Sequence, residues 1–278
     1  MTAISFDLSK KTELLWLSEP VRLVGEAAGG LPYFLVGATA RDLILQYGYG
    51  IEIARKTFDV DFAFMVNSWP AFEALRTNLL ATEKFTDTLG NAHRLKFESG
   101  MVIDLVPFGA IERPDRTIVL LPDGAVGMSV FGFREALAAT ILVLLPGCVS
   151  SPVVTLPALA MLKLAAWMER RYVQPGKDAY DLLMIMRNYL NAGNTERLYT
   201  DAAHLLERSD FDYETAGAWL LGHDMAKLLV GDSKAKVASL LERESDSNGT
   251  LALVGDMRSD PEALLAMLVA LRNGFTEP

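Results

Sequence analysis

The run "DVDFAFMV" at residues 59–66 constrains this chain more than any other stretch: it is apolar except for two aspartates, one residue apart, at its start. A short apolar run of this kind reads as a buried strand. Burying an unpaired carboxylate costs several kcal/mol or forces it to take up a proton, so the fold has to bring a cation to Asp59 and Asp61.

In a strand, side chains at i and i+2 leave the same face with their Cα atoms about 7 Å apart. Asp59 and Asp61 therefore project together, while Val60 and Phe62 go to the core. A third acid, Asp104, lies in "MVIDLVPF" (101–108), again between apolar neighbours. Three buried acids predict a site. Converging carboxylates suit hard divalent cations, and Mg²⁺ in particular is usually held by one or two carboxylates plus substrate phosphates. Two such ions about 3.5–4 Å apart stabilise the attacking and the leaving oxygen of an in-line phosphoryl displacement. Asp104 would then take the proton of an attacking hydroxyl.

Upstream, "FLVGATARDL" (34–43) leaves a strand through small residues and enters a helix. Such a turn lets backbone N–H groups approach a phosphate at the positive helix end. Gly37, Ala38 and Thr39 are the turn residues, with the Thr39 hydroxyl as an added contact. Arg41, Arg55 and Lys56 are nearby cations for a triphosphate, and Arg94 and Lys96 alternate on a later strand.

The order of elements gives the architecture. Helical spacing over residues 10–28, interrupted at Pro20 and stopped by Gly29 and Gly30, predicts one broken helix or two short ones. A strand at 33–37, a helix at 38–48, the acidic strand at 59–66 and a helix at 68–81 capped by Ser68 follow. Strands are expected at 93–99, 101–108 and 116–121, with Gly100 in a tight hairpin turn. "ALAATILVLLPGCV" (136–149) is stopped by Pro146 and Gly147 and reads as a buried strand rather than a membrane span, which needs about 18 apolar residues or more. From Leu156 onward only helical patterns occur, at 157–171, 177–191, 195–207, 213–230, 234–245 and 260–273. The predicted fold class is α+β: a domain over 1–150 with a short mixed sheet flanked by helices, then a helical domain over 151–278.

Composition narrows the function. One cysteine, Cys148, and three scattered histidines exclude a disulfide framework and a cysteine zinc site, which fits a reducing, cytoplasmic setting. A net charge of −9 works against broad, sequence-independent nucleic-acid binding, which draws its affinity from many neutralised phosphates.

A strand, a glycine turn, a helix, an Asp-x-Asp and a later strand Asp, over residues 33–108, resemble the DNA polymerase beta-like nucleotidyltransferases. More narrowly, "FLVGATARDL", "RKTFDVDFAF" and "MVIDLVPF" look like the AbiEii-type nucleotidyltransferases, toxins of type IV toxin-antitoxin systems. "LAMLKLAAWMERR" with "GKDAYDLLMIM" resembles that family's Lys-Leu helix and its basic-Asp-x-x-Asp-Leu segment, extending the resemblance to about residue 190.

The resemblance implies a nucleotidyltransferase domain followed by a helical domain that closes the nucleotide cleft. It implies Asp59, Asp61 and Asp104 as ligands of Mg²⁺, with Mn²⁺ as a substitute. Gly37, Ala38, Thr39, Arg41 and Arg55 would bind the nucleotide. Lys163 with Asp178 and Asp181 would face it from the helical domain, Lys163 in a catalytic role. The residues by themselves also allow an interhelix ion pair there. Ala38 departs from the Gly or Ser usual in the superfamily, with Thr39 as the replacement hydroxyl. The implied partners are an NTP, an acceptor such as tRNA, other RNA or protein, and an antitoxin; no membrane is implied. Transfer to a small molecule such as an aminoglycoside, or a nucleotide-binding regulator without turnover, are the alternatives.

Overall fold

The acidic run does become an inner strand of a sheet. The computed structural model describes residues 4–53, 59–88, 90–119, 127–174 and 176–277. It divides into two compact units, Met1–Thr155 and Leu156–Pro278.

In the first unit, β1 (Ile4–Asp7) precedes a 3₁₀ turn and α1 (Leu15–Ala28), then β2 (Tyr33–Val36) and α2 (Gly37–Asp42), which continues as a π-helical turn to Gly48. β3 (Val60–Val66), α3 (Trp69–Leu80), β4 (Phe85–Asp87), β5 (Arg94–Phe97) and β6 (Val102–Gly109) follow. A two-stranded ribbon, β7 (Thr117–Ile118) with β8 (Met128–Ser129), leads to α4 (Phe133–Ala138), β9 (Thr140–Leu145) and β10 (Val149–Val154). The main sheet has eight strands in the order β1-β9-β10-β2-β3-β6-β5-β4. It is mixed, as expected, but it is large rather than short. β1, β4 and β10 are the unforeseen strands, and each is brief or interrupted: β10 reads "VSSPVV", with Pro152 inside it.

β3 pairs antiparallel with β2 and parallel with β6, so it has a strand on each side. Val60, Phe62, Ala63, Phe64 and Val66 are fully buried, which explains why both faces of this strand are apolar. Ser68 caps α3 by accepting from Ala71 N–H at 3.4 Å, with Pro70 in the first turn. Gly100 turns the β5–β6 hairpin with φ of +90°, donating its N–H to Phe97 O at 2.8 Å.

The expected break at Pro20 is not where the helix breaks. α1 runs straight through Pro20, which is buried, and the irregular segment is the 3₁₀ turn at Thr12–Leu14 ahead of it. Proline lies only six positions into α1, and packing of the Leu17, Val21 and Val24 stripe offsets the one hydrogen bond it removes. The expected strand over 116–121 is two residues long where described; its end lies outside the described residues.

The second unit consists, among the described residues, of helices and turns: α5 (Leu156–Arg170), α6 (Lys177–Asn188), α7 (Ala203–Leu206), α8 (Tyr213–Leu228), α9 (Gly231–Glu244), α10 (Ala252–Met257) and α11 (Pro261–Thr276). Small residues let α8 and α11 approach closely: a Cβ at Gly222 would meet the Leu271 backbone, and one at Gly274 the Trp219 backbone. The expected helix at 195–207 is instead a 3₁₀ turn, Thr195–Tyr199, and the single turn of α7. No helix among the described residues is long and apolar enough to cross a membrane.

Candidate active site

Strand register assembles the acidic site. β3 and β6 align so that Asp61 stands opposite Asp104, and β5 and β6 align so that Arg94 stands opposite Asp104 on its other side. Asp61, Asp104 and Arg94 thus occupy one row across three neighbouring strands. Asp104 is 9% exposed, and both its oxygens accept from Arg94: Oδ1 from Nε and Oδ2 from Nη2, each at 2.7 Å. This is the planar two-point geometry that only arginine provides. Arg94 is held above its usual value, first by its hydrogen bonds to Asp104 and, against the opposing effect of burial, by the charges of Asp104, Asp59 and Asp61.

The three acids differ in burial. Asp104 is buried and Asp61 half-buried, but Asp59 is exposed, which corrects the expectation of three buried carboxylates. The reason is position: β3 begins at Val60, so Asp59 sits just outside the strand while its neighbour is inside.

β2 delivers Gly37 to the same place. Its φ is +76°, in the region that favours glycine, and a Cβ there would collide with Asp61 Oδ2 and lie 2.9 Å from its Cγ. Only glycine lets the turn pass so close to the aspartate. Ala38 is half-buried and Thr39 buried. The Thr39 hydroxyl donates to the backbone carbonyl of Asp59 at 2.8 Å, so it ties the turn to the start of the acidic strand. Arg41, expected at the phosphates, is completely buried, with Nε and Nη2 on Asp42 Oδ1 at 2.8 and 2.7 Å. Arg55 and Lys56 lie outside the described residues.

Three carboxylates of this type fit a hard cation, but the described residues do not gather three or more His, Cys, Asp or Glu groups into a metal cage. Asp104 is committed to Arg94. Asp59 and Asp61 meet the more modest requirement of a divalent ion held by one or two carboxylates and completed by substrate phosphates.

The second unit holds its own charged cluster. Lys163, 6% exposed on α5, ion-pairs with Asp178 at 3.2 Å and with Asp181, both on α6. Arg170 adds hydrogen bonds to Asp178, Nε to Oδ2 at 2.6 Å and Nη2 to Oδ1 at 2.8 Å. Burial pushes the Asp178 carboxyl up, yet Arg170 and Lys163 together hold it below the usual value. Two cations and two anions balance, so the interhelix ion pair that the residues allowed is formed. Arg170 was not foreseen. Its signal was there, since it lies seven residues, or two turns, beyond Lys163 on one helix face.

Comparison with known proteins adds the family. Three solved structures illustrate the likeness. The antibiotic-resistance factor ANT(2'')-Ia is 14% identical, over 68% of this chain and 96% of that one, with a TM-score of 0.36. JHP933 from Helicobacter pylori is 13% identical, over 97% and 94%, with a TM-score of 0.36. The Thermotoga maritima CCA-adding enzyme complexed with tRNA is 12% identical, over 96% and 79%, with a TM-score of 0.23. No curated protein sequence matches the chain. The family assignment rests on sequence, because the profile described as "Nucleotidyl transferase AbiEii toxin, Type IV TA system" matches residues 22–262, most of the chain. The protein therefore belongs to the AbiEii nucleotidyltransferase toxin family and is an enzyme that transfers nucleotidyl groups.

Proposed function

We propose that the protein transfers the nucleoside monophosphate of an NTP to a hydroxyl of RNA, a tRNA end foremost, or of protein, releasing pyrophosphate, and that it does so as the toxin of a toxin-antitoxin pair. The observation that carries this reading is the row Asp61–Asp104, set by the β3–β6 register directly beside Gly37. Acids and a phosphate-tolerant glycine turn in contact are what a nucleotidyl transfer requires from the protein.

In this reading, backbone N–H groups of the Gly37–Thr39 turn bind the triphosphate, and Gly37 does so because no side chain stands in the way. Asp59 and Asp61 hold Mg²⁺, for which Mn²⁺ substitutes, and the ion supplies neutralisation of charge on the phosphates. Asp104 takes the proton of the attacking hydroxyl once one of its oxygens is released by Arg94. Lys163, with Asp178, Asp181 and Arg170, forms a balanced ion cluster that fixes α5 against α6 within the second unit. Solubility in the cytoplasm and an antitoxin partner belong to the same reading.

A second reading is transfer to a small molecule of the aminoglycoside type, which the net charge of −9 favours over a polyanionic acceptor. To separate the two, the protein is incubated with each α-labelled NTP and Mg²⁺ in the presence of total RNA, of protein extract or of an aminoglycoside. Label in RNA supports the first reading, and label in the aminoglycoside alone replaces it with the second. Transfer that is undiminished in Asp61→Ala overturns the site itself.

A further inference from the structure

The face of the sheet that carries Asp61 and Asp104 continues across β5 to Lys96. Lys96 follows Arg94 by two residues, so the two side chains leave the same face. Register sets Lys96 between Val102 of β6 and Thr86 of the edge strand β4. Lys96 and Thr86 are exposed and Val102 is half-buried, so this corner of the face is open. The acids beside it are engaged by other cations: Glu98 pairs with Lys84 at 2.7 Å and Asp87 with Arg76 at 2.8 Å. The Lys96 ammonium forms no hydrogen bond or ion pair among the described residues. Its stem lies by the hairpin turn, with Cε 3.8 Å from where a Cβ at Gly100 would stand.

We propose that Lys96 binds a phosphate of the acceptor and thereby selects a polyanionic acceptor, RNA, over a cationic one. The order of strands carries the argument: the glycine turn follows β2, and then come Asp61 on β3, Asp104 on β6 and Lys96 on β5. With the triphosphate at the Gly37 turn, the pyrophosphate leaves on the β2 side of the α-phosphorus. In-line displacement requires the attacking oxygen on the opposite side, where its bond to phosphorus forms as the bond to pyrophosphate breaks and its proton passes to Asp104. The acceptor therefore lies over β5 and β4. Adjacent strands are about 4.8 Å apart, so Lys96 stands one such step beyond the strand of Asp104, and its flexible four-carbon stem carries the charge further. A phosphate next to the reacting ribose meets that ammonium, whereas an aminoglycoside brings amines that it repels. The net charge of −9 belongs to the chain as a whole, while the uncompensated charge at this corner is positive. This inference deepens the proposed nucleotidyl transfer to RNA and rests on it.

Transfer from an α-labelled NTP to total tRNA by the full chain, with RNA and NTP varied separately, tests it. Lys96→Gln is expected to raise KM for the RNA about tenfold, the scale of one hydrogen bond between charged groups, and to leave kcat and KM for the NTP unchanged. Lys96→Glu is expected to raise it further, and Lys96→Arg to restore it. In Lys96→Gln the logarithmic slope of kcat/KM against salt is expected to fall by about 1, as for the loss of one phosphate contact. Lys96 is exposed, so all three variants are expected to keep the circular dichroism of the wild type. KM for RNA unchanged in Lys96→Glu, while the wild type labels RNA, overturns the proposal and leaves the reading of RNA transfer intact. Equal rises in KM for RNA and for NTP also overturn it, because they assign Lys96 to the nucleotide. A wild type that labels protein or an aminoglycoside but no RNA overturns the RNA reading itself, and the proposal with it.

Discussion

Gly37→Ala tests how closely the glycine turn and the acidic strand depend on each other. Two penalties are combined in it. An alanine held at φ of +76° costs about 1–2 kcal/mol, as for any L-residue in the left-handed region. In addition its Cβ collides with Asp61: besides the oxygen, Cγ lies at 2.9 Å and Cβ at 3.2 Å, so the carboxylate cannot simply rotate away. To reach ordinary contact near 3.4 Å, Cγ has to retreat by about 0.5 Å, the limit within which catalytic groups are held. Gly147→Ala separates the two terms, because Gly147 also has φ of +76° but a Cβ there meets nothing within 4 Å. Both variants are expected to lose about 1–2 kcal/mol in urea unfolding from the backbone alone. Only Gly37→Ala is expected to lose transfer of label from an α-labelled NTP, by an order of 10²-fold for a displaced acid. Equal activity of the two variants, both near wild type, would refute the contact between turn and acid as a requirement of the site.

Three further outcomes follow from the helical unit and the turn. Lys163→Met removes the ammonium shared by Asp178 and Asp181, and breaking a buried ion pair of this kind is expected to cost roughly 3 kcal/mol in urea unfolding, the low end of the usual range because Arg170 still neutralises Asp178. Full stability with abolished transfer would instead assign Lys163 wholly to the substrate. Asp178, whose folded value is depressed, contributes stability above its unfolded value of 3.8 that is lost as pH falls through the lower folded value. Arg170→Gln leaves the upward push of burial less opposed, so its acid-unfolding midpoint, followed by circular dichroism, is expected to move to higher pH than the wild type's; an unmoved midpoint contradicts the pairing. Thr39→Val keeps the shape of the side chain but removes its hydrogen bond to the Asp59 carbonyl, and is expected to destabilise by about 1 kcal/mol while lowering transfer; unaltered transfer would confine Thr39 to a structural role.

Much of the site was legible because charge in an apolar strand is conspicuous. Asp61 and Asp104 stood out between residues that had to be buried, and the structure sets them opposite each other. Asp59 looked the same in sequence, but periodicity does not fix where a strand begins, and one residue's difference places it in solvent. The sheet was underestimated for a similar reason. β10 contains Ser150, Ser151 and Pro152, which dilute its apolar signal, and its place between β9 and β2 is set by distant pairing rather than by local pattern. Pairing also decides what Arg94 does. Alternation put it on a strand near the acids, while only the β5–β6 register shows that Asp104 is its partner. In the helical unit, Lys163, Asp178 and Asp181 came from the resemblance to the family, and helix spacing added that Asp178 and Asp181, three residues apart, share a face.

The central claim is that the acids beside Gly37 carry out nucleotidyl rather than phosphoryl transfer, and parallel reactions with α-labelled and γ-labelled NTP test it most directly. The account predicts that label from the α position enters the acceptor, that label from the γ position leaves as pyrophosphate, and that Asp61→Ala abolishes both. Label entering the acceptor from the γ position, or transfer that survives in Asp61→Ala, would contradict it.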